Sequence, residues 1–358
     1  KNFHEKSQQS LQQQYMDIET IIAVLAILLA LGFDFVNGFH DTANAVATVI
    51  YTKALKPGIA IFMSGVLNFL GALLVGTAVA QVITKIIPEG TVTLPMVVAV
   101  LLAAVIWNLI TWWKGIPVSS SHCLIGSLFG AGVTAAGVGG VEWTELKKVL
   151  LALLISPLVG FTAGALMTWA ALKFSKEKEK DLSKTTAQNP IMRLLHIFSS
   201  ASVSFSHGSN DGQKTMGIIA LILATHFGQY GYTAKVVPFW VMLSAASAIA
   251  LGTVIGGWRV IRTVGTKISR EKLSHSQGFG ASMRQAIIIL IASHWGAPIS
   301  TTHTLSSAVA GGTIPVHGKE NLNPKTMKLI LLAWVLTLPV AATLASVSYL
   351  ILKFIWHA

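Results

Sequence analysis

Charge is what this chain of 358 residues has least of. Asp, Glu, Lys and Arg together make up 11% of it, where an average soluble domain carries about 25%. Acidic groups are the scarcer sign, 14 against 26 Lys and Arg, for a formal net charge of +12. Cysteine is nearly missing. Cys123 stands alone, which excludes an intramolecular disulfide and any cysteine-based metal cluster. There is no His-Glu-x-x-His and no Gly-x-Ser-x-Gly, so the usual signatures of a zinc protease and a serine hydrolase are absent. The basic excess does not form a nucleic-acid patch. It sits between apolar runs, at Lys173 to Lys184 and at Arg259 to Lys272, where basic loops face the cytoplasm and set topology.

What the chain does have is apolar sequence. Hydrophobic residues make up 53% of it, with a mean hydropathy of +0.65. Runs of about 20 apolar residues recur throughout. The expected fold is an all-α polytopic membrane protein, multi-pass in the plasma (inner) membrane, with lipid around it and no nucleic-acid partner. Residues 1–15 are polar and Gln-rich and start without Met, so they are expected to be a polar tail or a vector-encoded addition.

Polar residues crowd into a few places. Gly38-Phe39-His40-Asp41-Thr42-Ala43-Asn44 lies deep in the first apolar run, where an ionised carboxylate costs about 2.5–3.5 kcal/mol even on a lenient insertion scale. A second such stretch is His207-Gly208-Ser209-Asn210-Asp211-Gly212-Gln213-Lys214. Both predict a broken membrane helix, at 37–44 and 207–214. Two further segments, Gly115-x-Pro117-x-Ser119-Ser120-Ser121-His122 and Gly296-x-Pro298-x-Ser300-Thr301-Thr302-His303, are too polar at their starts for plain spans. They predict re-entrant hairpins at 115–140 and 296–314.

These features recur in order. Asp41 matches Asp211 at an offset of 170, Gly76 matches Gly252 at 176, Ser119 matches Ser300 at 181, and Pro157 matches Pro339 at 182. The pattern predicts two inverted-topology repeats, 16–175 and 191–358, joined by a cytoplasmic loop at 176–190. Counting crossings leaves the orientation of the second half open. Duplicated, interrupted apolar segments point to a secondary transporter with its site where the interruptions meet.

The chemistry follows from residue type. Pro117 and Pro298 suit the first turn of a helix. Behind them, Ser119, Ser120, Ser121, Ser300, Thr301 and Thr302 offer hydroxyls at helix N-termini, a natural seat for an oxyanion. The plainer alternative is that they bond back to their own helices. Asp41 and Asp211 need cationic partners. Asn37, Asn44 and Thr48 near Asp41, and Asn210 beside Asp211, are hard oxygen ligands suited to Na⁺, unless the carboxylates carry protons instead. Asp34 has a weaker case and is expected to pair locally. Asn44 of the first half corresponds to Lys214 of the second. An ammonium there takes the place of a bound cation, so Lys214 is expected to pair with Asp211 or with the anion, and coupling leans towards H⁺. His40 and His207 are candidates for proton relay, with His122 and His303 behind them; a buried His more often only completes a hydrogen-bond network. Arg284 is expected at a lipid headgroup, and Asn68 and Asn108 between helices.

Asn37-Gly38-Phe39-His40-Asp41-Thr42-Ala43-Asn44 and Phe205-Ser206-His207-Gly208-Ser209-Asn210-Asp211-Gly212-Gln213-Lys214 resemble the two signatures of the inorganic phosphate transporter (PiT) family. The two Pro-x-Ser segments resemble its paired hairpin motifs, and the likeness runs from Met16 to Ile355. The short Lys173 to Asn189 segment replaces the long central loop of some members, as in a compact bacterial member. The resemblance implies phosphate import by cation symport, H⁺ favoured and Na⁺ the alternative, with alternating access and phosphate held between two hairpin tips. It implies inverted repeats, a homodimer, no cofactor beyond the coupling cation, and a divalent-metal phosphate complex as an alternative cargo. The Asp, Asn, Ser and Thr positions above, with Lys214, become the phosphate and ion sites. The nearest rival is a carrier of another oxyanion such as sulfate. HPO₄²⁻ keeps a proton to donate and so suits a site with acceptor carboxylates. An intramembrane hydrolase is a remote alternative.

Overall fold

The computed structural model describes residues 2–88, 90–175 and 190–357, with side chains from Ile18 onwards except at 171, 172, 174, 175 and 357. The predicted loop at 176–190 thus lies outside the described residues except for Pro190. The described residues form twelve α-helices and no strand. The first half holds α1 (Asn2–Tyr51), α2 (Pro57–Leu74), α3 (Ala78–Thr84), α4 (Leu94–Lys114), α5 (Ser120–Ala136) and α6 (Trp143–Ser175). The second holds α7 (Pro190–Phe227), α8 (Phe239–Ile255), α9 (Trp258–Thr266), α10 (His275–His294), α11 (Thr301–His317) and α12 (Pro324–His357). Six helices are long and apolar enough to cross a membrane, or seven if α8 and α9 count as one bent span.

The predicted breaks at 37–44 and 207–214 are not there. Both segments are helical throughout, inside α1 and α7. Their polar side chains need no unwound backbone, because neighbouring helices supply partners: Asn37 reaches Asp211, Asn44 reaches Thr301 and Thr302, and His207 reaches Asn68. Glycine serves close approach here. A Cβ on Gly38 would overlap the α8 backbone at Ile249, and one on Gly208 would overlap the α2 backbone at Asn68. The real breaks lie one helix further on. Gly76, at φ +101°, separates α2 from α3, and Gly256, at φ +75°, separates α8 from α9 with a 67° bend.

The segments predicted as hairpins hold one helix each, entered through a short extended limb. Gly115 (φ 66°) ends α4 in the left-handed conformation, and Gly296 (φ 72°) follows α10 in the same way. Pro117 and Pro298 then lie in the extended limbs, and the helices start three residues later than the prolines suggest. Ser119 and Ser300 are the N-caps, each Oγ accepting from the N–H three residues on, at 3.1 Å in both cases.

Equivalent elements pack crosswise. α5 packs on α12 and α11 on α6, α1 on α8 and α2 on α7, while α2 and α8 meet each other. α1 and α7 run antiparallel. Thr20 bonds His226 at one end (3.0 Å), and Thr52 bonds His196 at the other (3.3 Å). Two apolar clusters flank the middle of the bundle. One takes in Ala23 to Phe33 of α1 with α4, α5 and α8; the other takes in Ala43 to Val49 with α9 and α11. Between them lies the polar band of α1, buried to within 1% at Asp34, Asn37, His40, Asp41 and Asn44.

Candidate functional site

Asp41 is reached from three helices. Its Oδ1 lies 2.7 Å from His40 Nδ1 and 3.4 Å from the Thr302 hydroxyl. Its Oδ2 takes the hydroxyls of Ser120 and Thr301, each at 3.4 Å. Asn44, one turn further along α1, donates to Thr302 at 2.9 Å and to Thr301 at 3.2 Å, tying α11 to α1. The other nitrogen of His40 lies 3.2 Å from Thr111, which fixes the ring.

Asp211 is the counterpart on α7. Its Oδ1 pairs with Lys214 Nζ at 2.8 Å. Its Oδ2 accepts from Asn37 at 3.2 Å and from Ser120 at 3.3 Å. One hydroxyl, Ser120, therefore lies between the two carboxylates. His207 spans the same gap, with Nε2 3.8 Å from Asp41 and 3.5 Å from Asp211. Its Nδ1 lies 2.7 Å from Asn68 Oδ1, so the ring presents Nε2 to the carboxylates. Ligand atoms of Asp41, His207 and Asp211 lie within 4.8 Å of one another, close enough to share one cation.

This centre can offer hydroxyls and helix N-terminal N–H groups to an anion, and carboxylates to a cation or a proton. Asp41, Asp211, Lys214, His207 and Ser120 are each no more than 1% exposed, so the centre is closed.

Not every expected residue joins it. Ser119 and Ser300 use their oxygens as caps, and Ser121 donates to the Ile299 carbonyl at 2.8 Å, joining the first turn of α5 to the extended limb before α11. Thr48 is two turns beyond Asp41 and bonds Ser282 and His196, both at 3.1 Å. Asn210 bonds Ser293 and the Ala297 carbonyl, mirroring the His40–Thr111 contact of the first half. His122 and His303 meet behind the tips, ring centres 4.3 Å apart and tilted by 39°, and Trp334 stacks on His303. Arg284 is not at a lipid headgroup. It is 4% exposed and donates to the Gly160 carbonyl of α6, because glycines on α6 open room for the guanidinium between helices. Asn68 does join helices, bonding His207 and Thr253; neither polar atom of Asn108 has a partner. Sequence reasoning missed Thr111 and Ser293, which orient His40 and Asn210. Each is one ordinary hydroxyl in an apolar helix, and only packing singles it out.

A profile of the phosphate transporter family matches residues 37–345, most of the chain. The chain belongs to that family. Among curated relatives, a Bacillus subtilis protein described as a "probable low-affinity inorganic phosphate transporter" is 43% identical, over 95% of this chain and the whole of that protein. The Escherichia coli low-affinity inorganic phosphate transporter PitB is 31% identical, over 93% of this chain and 97% of its own. Among solved structures, one titled "The sodium-dependent phosphate transporter" superposes with a TM-score of 0.78 at 27% identity, covering 94% of this chain and all of that one. Membership makes this phosphate transporter family chain a multi-pass membrane transporter and not an enzyme. Phosphate is what the family carries.

Proposed function

We propose that this chain imports inorganic phosphate by cation symport, with H⁺ the favoured cation. One observation carries the reading: the Asp of each half and the capped helix tip of each half converge on a single closed centre, joined through Ser120. Phosphate entering there would take the hydroxyls of Ser120, Thr301 and Thr302 and the N-terminal N–H groups of α5 and α11. It would thereby release the carboxylates to hold a proton, a cation or the P–OH of HPO₄²⁻. The antiparallel α1 and α7 and the crosswise packing support inverted repeats, and alternating access would rock them around the fixed centre. Basic residues support the orientation. Arg193, Arg259 and Arg270 bond or neighbour the loops at Ala54, Trp113 and Asn321, gathering at one end, which the positive-inside rule turns to the cytoplasm.

The preference for H⁺ rests on Lys214. Its ammonium already occupies Asp211, so the second half lacks the vacant oxygen cage that Na⁺ needs. A second reading, Na⁺ coupling through the first half, is favoured by Asp41 with Asn44 Oδ1, which has no hydrogen-bond partner, and by the sodium dependence that the solved relative is named for. A divalent-metal phosphate complex is a third cargo that Asp41, His207 and Asp211 have the donors to hold.

Labelled phosphate uptake into proteoliposomes, under an inward Na⁺ gradient and then an inward proton gradient, each with and without Mg²⁺, separates these readings. Uptake driven by protons alone is expected, and Lys214→Asn should change that proton dependence. Unchanged proton-driven uptake in Lys214→Asn would remove the H⁺ argument. Sulfate accumulation in place of phosphate would remove the substrate.

A further inference from the structure

The two halves depart from one another at two buried charges, and the departures face each other. Lys214 on α7 stands where the first half has Asn44. Asp34 on α1 stands where the second half, by the same offset of 170, has Ser204. The half without the extra ammonium thus carries the extra carboxylate. Asp34 is fully buried, and neither of its oxygens has a hydrogen-bond partner. One turn before Asn37 on α1, it faces the part of α7 that carries Asp211, Lys214 and Thr215. Asn37 shares its amide group with Asp211, to which it donates at 3.2 Å. An ionised carboxylate buried without a donor is expensive.

Lys214 raises the complementary difficulty. A coupling cation at Asp211 and an ammonium 2.8 Å from the same carboxylate would repel strongly in a closed, buried centre. We propose that Asp34 is the second seat of the Lys214 ammonium. In the arrangement described, Lys214 holds Asp211; when a cation or phosphate engages Asp211, the ammonium moves across to Asp34. Asn37 on α1 bonds Asp211 on α7, and in this antiparallel pair Asp34, one turn before Asn37, comes level with Lys214, one turn after Asp211, so the ammonium has a short distance to cross. Asp34 is then a positioning residue, acting through Lys214 and not on the anion itself. This rests on the symport reading, since only a cycle that loads and unloads Asp211 needs a place to put the lysine.

Uptake in proteoliposomes with Na⁺ and proton gradients both imposed tests it, using Asp34→Asn, Asp34→Glu and the double variant Asp34→Asn with Lys214→Gln. Asp34→Asn should lower the maximal rate about tenfold while changing KM for phosphate less than about threefold. Asp34→Glu should keep most of the rate. Adding Lys214→Gln to Asp34→Asn should restore the rate at least about threefold, because no ammonium is left to accommodate. A double variant as slow as Asp34→Asn, or Asp34→Asn at the wild-type rate, overturns the proposal. A readout free of transport is the structure of Asp211→Asn, in which Lys214 Nζ should lie about 3 Å from an Asp34 oxygen. An ammonium left beside residue 211 overturns the proposal there too. If the wild-type protein takes up no phosphate, the symport reading fails by itself, and the structural arm still decides the lysine.

Discussion

Ser120 is the residue on which the centre turns, since its one hydroxyl lies 3.4 Å from Asp41 and 3.3 Å from Asp211. Removing it leaves two carboxylates without a shared donor and removes a donor from an incoming phosphate. A hydrogen bond to a charged group contributes about 1.5–3 kcal/mol, so Ser120→Ala should lower the uptake efficiency for phosphate by about 10- to 100-fold. Rates measured against phosphate concentration check this, and a loss under twofold would take Ser120 out of the site. Gly208 offers a steric counterpart. A Cβ there collides with the Asn68 backbone, so Gly208→Ala must push α7 from α2 and disturb the His207–Asn68 bond. The expected result is a lower melting temperature in detergent and impaired uptake. The same substitution at Gly58, which has open space around it, should be silent.

At the scale of elements, α5 and α11 are held by the same device. The Ser119 and Ser300 caps satisfy N–H groups that would otherwise face the closed centre. Ser119→Ala or Ser300→Ala should each cost about 1 kcal/mol of stability, the usual worth of such a cap. Thermal unfolding of the purified protein would show it, and glycine at either position should cost less. The first turn of α5 is also tied to the extended limb before α11 by Ser121 and the Ile299 carbonyl. The helix register was partly legible beforehand: Gly115 and Gly296 marked the turns, and the Ser and Thr runs marked the starts. The predicted breaks in α1 and α7 failed for a reason visible in the packing. A polar run inside an apolar segment looks like an interruption when no partner is in view, yet those side chains find partners on α2, α10 and α11. Their helices therefore stay closed.

Across the whole molecule, the described ends differ in charge. Arg259, Arg262, Lys267, Arg270 and Lys272 gather at one end, and Glu19, His226 and Lys353 line a cavity of about 310 Å³ at the other. With the buried Cys123 unreactive, a membrane-impermeant thiol reagent applied to intact cells should label Lys353→Cys and leave Arg270→Cys unlabelled until the membrane is permeabilised. The reverse pattern would invert the orientation of every element. Antiparallel α1 and α7 also predict that Thr20→Cys and His226→Cys together form a disulfide under mild oxidation.

The sequence by itself determined the membrane class, the duplication and the family, because each is written in local pattern: apolar length, ordered recurrence, and short motifs. It also marked Asp41, Asp211, Lys214 and the paired Ser and Thr tips, since charge and hydroxyls stand out against an apolar background. Only the tertiary structure decided which of these residues meet. Ser120 reaches both carboxylates while Ser119 and Ser121 do not, because successive residues on a helix point about 100° apart. Thr48 falls two turns away with His196, and Asp34, expected to pair locally, instead faces the α7 stretch that carries Asp211 and Lys214. Such meetings depend on how distant helices pack, and no local pattern carries that information.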